Sequence, residues 1–182
     1  MQHVREIPIR QMRSFSEFPE GLEDAACAGE VDALTGLASR AMGEAYLITQ
    51  LGAHRPTLAM LIDLDGLKRV NYRWGHAFGD QILKSVAGSL AEFSKRFSLL
   101  CRWEGDRFLA VSHSIPDVPE DEAAIVGKRV SRRYTVSADG SPLEVDICVS
   151  AGVAVARGGD SLRDLIARAE SDLLRRRILG RA

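Results

Sequence analysis

Arg102-Trp103-Glu104-Gly105-Asp106-Arg107-Phe108 is bracketed by two apolar runs, 97–101 before it and 108–111 after it. That order reads as a strand, a tight acidic turn and a second strand. Upstream, a further apolar run over 58–62 ends in Asp63-Leu64-Asp65. Two strand-end carboxylate clusters in one small chain point to a divalent-metal and phosphate site, because hard cations take oxygen ligands. Arg107 stands in one of those clusters, where a cation would favour another acid.

The periodicity on either side supplies the remaining elements. Residues 39–51 carry Met42, Ala45, Tyr46 and Leu51 at helical spacing, with Ser39 as N-cap and with Gly52 and Pro56 as the stop. Residues 57–62 read as a buried strand, 67–74 as a short helix closed by Gly75, and 78–97 as a long amphipathic helix with Ile82, Leu83, Val86, Leu90 and Phe93 on one face. Another helix is expected over 120–133, with Pro119 near its first turn and Ala124, Val126 and Val130 as its apolar positions. A turn cluster at 138–142 leads into a long β-branched run, 143–155, and a last helix over 161–179, with Ser161 as its cap and Asp164 in its first turn. The order α-β-α-α-β-β-α-β-α predicts an α/β (α+β) sandwich whose sheet is mixed or mostly antiparallel.

The 182 residues suffice for one domain with a real core, here 32–182, plus an N-terminal extension, 1–31. The extension holds Pro8 and Pro19, shows no sustained periodicity before Glu20, and reads as a helix, a docking peptide or a tail. Hydrophobic content of 46% and charged content of 27% are those of a globular protein. A formal net charge of −1 gives no global pull toward nucleic acid or an anionic membrane. No stretch approaches the roughly 20 apolar residues that cross a bilayer, and no signal-peptide core is visible, so a soluble cytoplasmic protein is expected. Cys27, Cys101 and Cys148 are odd in number and lack ligand spacing, and the last two lie in apolar runs. They read as buried, reduced thiols.

Several motifs in order resemble the GGDEF domain, the diguanylate cyclase family. Asp32-Ala33-Leu34-Thr35-Gly36-Leu37-Ala38-Ser39-Arg40 resembles the opening D-x-L-T-G-L-x-N-R, with Ser39 for Asn. Asp63-Leu64-Asp65-Gly66-Leu67-Lys68-Arg69-Val70-Asn71 resembles D-x-D-x-F-K-x-x-N, and Gly75-His76-Ala77-Phe78-Gly79-Asp80 resembles G-H-x-x-G-D. Ser150-Ala151-Gly152-Val153-Ala154 is similar to S-x-G-V-A, and Arg177, Gly180 and Arg181 to the closing K-x-x-G-R. The signature turn reads Glu104-Gly105-Asp106-Arg107-Phe108 in place of G-G-D/E-E-F. The resemblance implies a nucleotide-cyclase or polymerase-palm-like sheet flanked by helices. It also implies the condensation of two GTP to cyclic di-GMP and pyrophosphate by two domains facing each other.

It further implies roles. Asp63, the Leu64 carbonyl and Asp106 would hold Mg²⁺, with Asp63, Asp106 and Lys68 as the catalytic set. Asn71 and Asp80 would read guanine, a carboxylate accepting from guanine's donors while an amide both donates and accepts. Gly105 would lie against the nucleotide, and Lys68, Arg177 and Arg181 would meet phosphates. The plain readings stand beside these: strand-end aspartates as solvated turn residues, Asn71 and Asp80 as caps, the C-terminal arginines as a charged helix end.

Four departures bear on activity. Arg107 opposes a divalent ion and is placed to pair with Asp106 or Asp63, or to meet a phosphate. Glu104 brings bulk and negative charge where the family has glycine. Lys95-Arg96-Phe97-Ser98 fills the window of the R-x-x-D product-inhibition motif, so that cyclic di-GMP site is expected to be absent. Tyr72 replaces an acid, and Trp74 and Trp103 read as partner anchors or as packed aromatics. The expectation is a degenerate GGDEF domain, a regulatory module contacting another signalling protein, with weak GTP binding. The alternatives are an active diguanylate cyclase working as a homodimer and an interaction module without nucleotide.

Overall fold

The computed structural model describes residues 31–138 and 141–179. The expected extension over 1–30, Cys27, and the closing Gly180 and Arg181 lie outside them. The elements are α1 (Arg40–Gly52), β1 (Leu58–Asp65), α2 (Leu67–Trp74), α3 (His76–Ala91), β2 (Leu99–Glu104), β3 (Arg107–Ser112), α4 (Pro119–Val130), β4 (Arg132–Ala138), β5 (Ser141–Val155) and α5 (Leu162–Leu179). The strands form one sheet in the order β2-β3-β1-β5-β4. Every neighbouring pair is antiparallel.

Helices cover both faces of this sheet, and strand alternation decides which side chain meets which layer. Leu58, Met60, Ile62 and Leu64 of β1 join the core under α3 and α4, with Ile82, Val86, Leu90, Val126 and Val130. Ala59 and Leu61 turn to the opposite core, with Leu47 of α1 and Leu165, Ala169 and Leu173 of α5. By the same alternation Asp63 and Asp65 face the α5 side. β1 sits at the centre of the sheet and is buried on both faces almost to its end.

Expectation and structure differ at several boundaries. β1 continues past Ile62 to Asp65, so Asp63 is a residue within a strand, only 4% exposed, and not a turn residue at its end. The helix expected over 78–97 is His76–Ala91; Phe93 and Arg96 then close successive turns on Leu90 and Phe93. The helix expected through Arg133 stops at Val130, and β4 follows. Tyr134 and Val136 bury alternate side chains against the α3–α4 core, a period of two that a helix cannot give. The register sets Ala138 opposite Ser141, with Asp139-Gly140 between them in the sequence. Ser39 caps α1 as expected, accepting the Met42 N–H.

Cys101 is buried, and burial pushes its thiol up to about 12. Cys148 is exposed, contrary to expectation, because it shares its face of β5 with Glu144 and Asp146, also exposed. Trp103 is buried, with the Arg40 guanidinium 5.0 Å from its ring centre; Trp74 stacks beside Phe78 at 5.3 Å. Trp103 is thus a packed aromatic, whereas Trp74 keeps 36% of its surface in solvent.

The Ser150–Ala154 run sets how closely α5 approaches. A Cβ on Gly152 would stand 2.1 Å from Leu173 N and 2.6 Å from the Ala169 carbonyl oxygen. Asp172 accepts the Val153 N–H at 3.0 Å. The helix therefore rests backbone to backbone on β5. Gly152→Ala is expected to cost about 2–3 kcal/mol by overpacking, lowering Tm by roughly 5–10 °C in thermal denaturation. An unchanged Tm would show that helix and strand are not in this contact.

Candidate functional site

Glu104 ends β2 and pairs with Arg107, with a register irregularity between Arg102 and Glu104. Gly105 between them takes φ +55, a conformation side-chain-bearing residues rarely adopt. Arg102 clamps the turn from below. Its Nε and Nη2 donate to the Gly105 carbonyl at 3.1 and 2.9 Å, and its Nη1 donates to both Asp32 oxygens at 3.3 Å. Asp32 also accepts from the Thr35 N–H and hydroxyl at 2.8 and 2.7 Å, closing the Asp32–Leu37 turn on itself. The two motifs, seventy residues apart in the chain, are thus one structural unit.

Asp63 and Arg107 are cross-strand partners. Arg107 Nε donates to Asp63 Oδ2 at 3.1 Å, and its Nη1 reaches Glu170 of α5 at 3.3 Å. From the last turns of α5, Arg177 Nη2 donates to Asp63 Oδ1 at 3.2 Å and Nη1 to Oδ2 at 3.4 Å. Arg177 Nε also donates to Asp65 Oδ1 at 2.5 Å, while Ser150 donates to Asp65 Oδ2 at 2.7 Å. Both oxygens of Asp63 are therefore taken by guanidinium groups. Burial pushes the Asp63 carboxyl above the usual aspartate range, the nearby Asp106 charge adds to this, and Arg177 and Arg107 pull the other way. Asp65 and Asp63 hold Arg177 above the ordinary arginine value despite its partial burial.

The other expected residues lie around this clamp. Asp106 follows Gly105 in the turn, and its carbonyl accepts the Leu64 N–H at 3.2 Å. Lys68 is exposed on α2. Asn71 of α2 lies on Gly79 of α3, where a Cβ would stand 1.8 Å from Asn71 Oδ1. That oxygen is buried without a hydrogen-bond partner. Asp80, the next residue of α3, is half-buried. Glu104 is exposed and lies 3.6 Å from Arg40. In the window read as lacking the inhibition motif, Arg96 donates to both Glu122 oxygens at 2.8 and 2.9 Å, and Phe97 is buried.

A family model described as "Diguanylate cyclase, GGDEF domain" matches residues 30–181. The chain belongs to the GGDEF domain family. It is 31% identical over 189 residues to the response regulator PleD of Caulobacter vibrioides, an alignment covering 95% of this chain and 39% of PleD. It is 32% identical over 169 residues to the diguanylate cyclase DgcM of Escherichia coli, covering 89% of this chain and 38% of that protein. It thus spans about two-fifths of these relatives' length. Among solved structures, Pseudomonas aeruginosa diguanylate cyclase SiaD in complex with its activator SiaC superposes with a TM-score of 0.70 at 28% identity, over 84% of this chain and 60% of that one. A sensory box/GGDEF protein of Caulobacter crescentus gives 0.68 at 27% identity, over 83% and 99%. The antiparallel palm-like sheet of GGDEF domains is the fold observed here. No described helix is long and apolar enough to cross a membrane.

GGDEF diguanylate cyclases use Mg²⁺, and here the Asp63 carboxylate that would lead its donor set is engaged by two guanidinium groups. Mg²⁺ needs oxygen lone pairs in near-octahedral array. Asp63 Oδ2 accepts from both Arg107 and Arg177 and Oδ1 accepts from Arg177, so a cation at this carboxylate would meet two guanidinium groups. The paired grip of Arg177 and Glu170 on this cluster was not read from the sequence. The available signal was Asp65, two residues from Asp63 and so on the same strand face.

The Asp63 carboxyl, followed by NMR through its side-chain carbon, is expected to titrate above the ordinary aspartate value and to move further up in Arg177→Gln. With a native pKa above the unfolded one, the folded chain holds more protons between the two values. This residue's contribution to stability therefore falls as pH rises through that window. Asp63→Asn should remove that fall from a denaturant series run across pH 3–7, a range set by the model aspartate value. A downward shift in Arg177→Gln would contradict the clamp.

Proposed function

We propose that this GGDEF domain has lost efficient turnover and acts as a regulatory module that contacts another protein in cyclic di-GMP signalling, keeping weak binding of guanine nucleotide. The clamp on Asp63 carries this reading. A divalent ion brought to Asp63 would have to displace two guanidinium groups or sit beside them, and like charges at contact distance in a partly desolvated site repel by several kcal/mol, about 4 at an effective dielectric of 20. Breaking the clamp also leaves buried charge uncompensated. Glu104 adds a negative charge beside the turn that would face a triphosphate. The guanine end is better kept: Asn71 and Gly79 form a close-packed pair with Asp80 adjoining. A protein partner has a precedent in SiaD, whose solved structure carries an activator protein.

The test is to fuse the chain to a constitutive dimerising coiled coil, so that two domains face each other, and incubate it with GTP and Mg²⁺. No cyclic di-GMP above background is expected. Calorimetry should give a GTP Kd on the order of 1 mM. The double variant Glu104→Gly/Arg107→Glu should bind GTP with Mg²⁺ about tenfold more tightly, a gain of about 1.4 kcal/mol. Turnover by the unaltered chain at the 1 s⁻¹ or more typical of enzymes would overturn the reading. Absence of any affinity gain in the double variant would show that the clamp is not the defect.

A further inference from the structure

At the end of the sheet away from the signature turn, a cavity of about 540 Å³ opens between the end of α1, the segment leading into β1 and the start of α5. Ile48, Leu51, Pro56 and Leu162 give it apolar walls, and Ile48 leaves 58% of its surface in solvent. Its rim carries His54, Arg55 and Arg157. Asp160, the acid on that rim, is already engaged: Arg168 donates to its two oxygens at 2.9 and 2.5 Å, and the Arg157 N–H donates at 2.6 Å. The Arg55 guanidinium makes a long hydrogen bond, 3.5 Å, to Gln50 Oε1. Two guanidinium groups and an imidazole thus edge an apolar hollow, without a matching set of free carboxylates.

We propose that this cavity seats the chain's own acidic segment, Phe15-Ser16-Glu17-Phe18-Pro19-Glu20-Gly21-Leu22-Glu23-Asp24. Phe15, Phe18 and Leu22 match the apolar walls; Glu17, Glu20, Glu23 and Asp24 match the rim. No Lys or Arg occurs between Ser14 and Ser39, so no base in that stretch neutralises these acids. The reach is sufficient. Val31, the first described residue, bridges to Ala38, which in turn bridges to Cys101 of β2. α1 begins two residues after Ala38 and runs to the cavity, about 20 Å for its 13 residues. Residues 19–30 span up to about 40 Å when extended. Apolar side chains in the hollow supply the affinity, and the charges fix orientation and make the docking salt-sensitive.

The test uses the full chain carrying Arg55→Lys and Arg157→Lys, which keep the charge and add amines that a zero-length carbodiimide joins to carboxylates. Peptide mapping should find links, within monomeric chains, from position 55 or 157 to Glu17, Glu20, Glu23 or Asp24. Adding Phe15→Ser and Phe18→Ser, with Tm unchanged, should lower their yield about tenfold, the effect of 1.4 kcal/mol on a docking equilibrium. Links confined to carboxylates of the folded domain would overturn the proposal. Links found only in covalent dimers would overturn it in favour of a second copy of the chain.

Discussion

A carboxylate inside the central strand of a sheet must be neutralised, and Asp63 is met by arginines from two directions. Arg107 comes across the ladder from β3 and Arg177 comes down from α5. Asp65 and Glu170 then balance the second positive charge on each side. Removing one partner from such a set leaves the Asp63 carboxylate under-compensated in a partly desolvated site. The hairpin, the central strand and the C-terminal helix are thereby joined through one small group of ionic side chains. The same group surrounds the Asp63 carboxylate with positive charge from both sides.

Two features place these charges together. Strand alternation turns Asp63, Asp65, Arg107 and Ser150 to the face that α5 covers. The bare backbone of Gly152 then lets α5 lie directly on β5, and Arg177, one turn beyond Leu173, reaches the two aspartates. Packing and electrostatics are therefore not separable here. The position of the helix is a property of the glycine, and the state of the pocket is a property of the helix. On the other side of the sheet's end, the Asn71–Gly79 contact fixes α2 against α3 by the same device.

Much of this was legible in the chain itself. The hairpin around Glu104–Arg107, the Ser39 cap and the short helix closed by Gly75 follow from local chemistry that the fold does not override. The family could be read from motifs whose order survives although the signature is altered. Three things escaped. β4 was hidden because Arg132 and Arg133 continue the polar pattern of the preceding helix, and only Tyr134 and Val136 betray a period of two. Asp63 looked like a strand terminus because an acid ends an apolar run; in the sheet its charge is tolerated by partners distant in sequence. Those partners, Arg107 and Arg177, lie 44 and 114 residues away in the chain, and their closeness to Asp63 is a product of tertiary packing that no local pattern encodes.

The contrast between the two described cysteines has a chemical consequence. The thiolate is the form that reacts with electrophiles and oxidants. Cys101, sealed in the core with its proton held until about pH 12, is shielded from both. Cys148 stands open on β5 among acidic neighbours. Of the two, a sulfhydryl reagent or a burst of peroxide meets Cys148 on the open face of β5 first, and Cys101, covered on β2, passes through such an exposure unmarked.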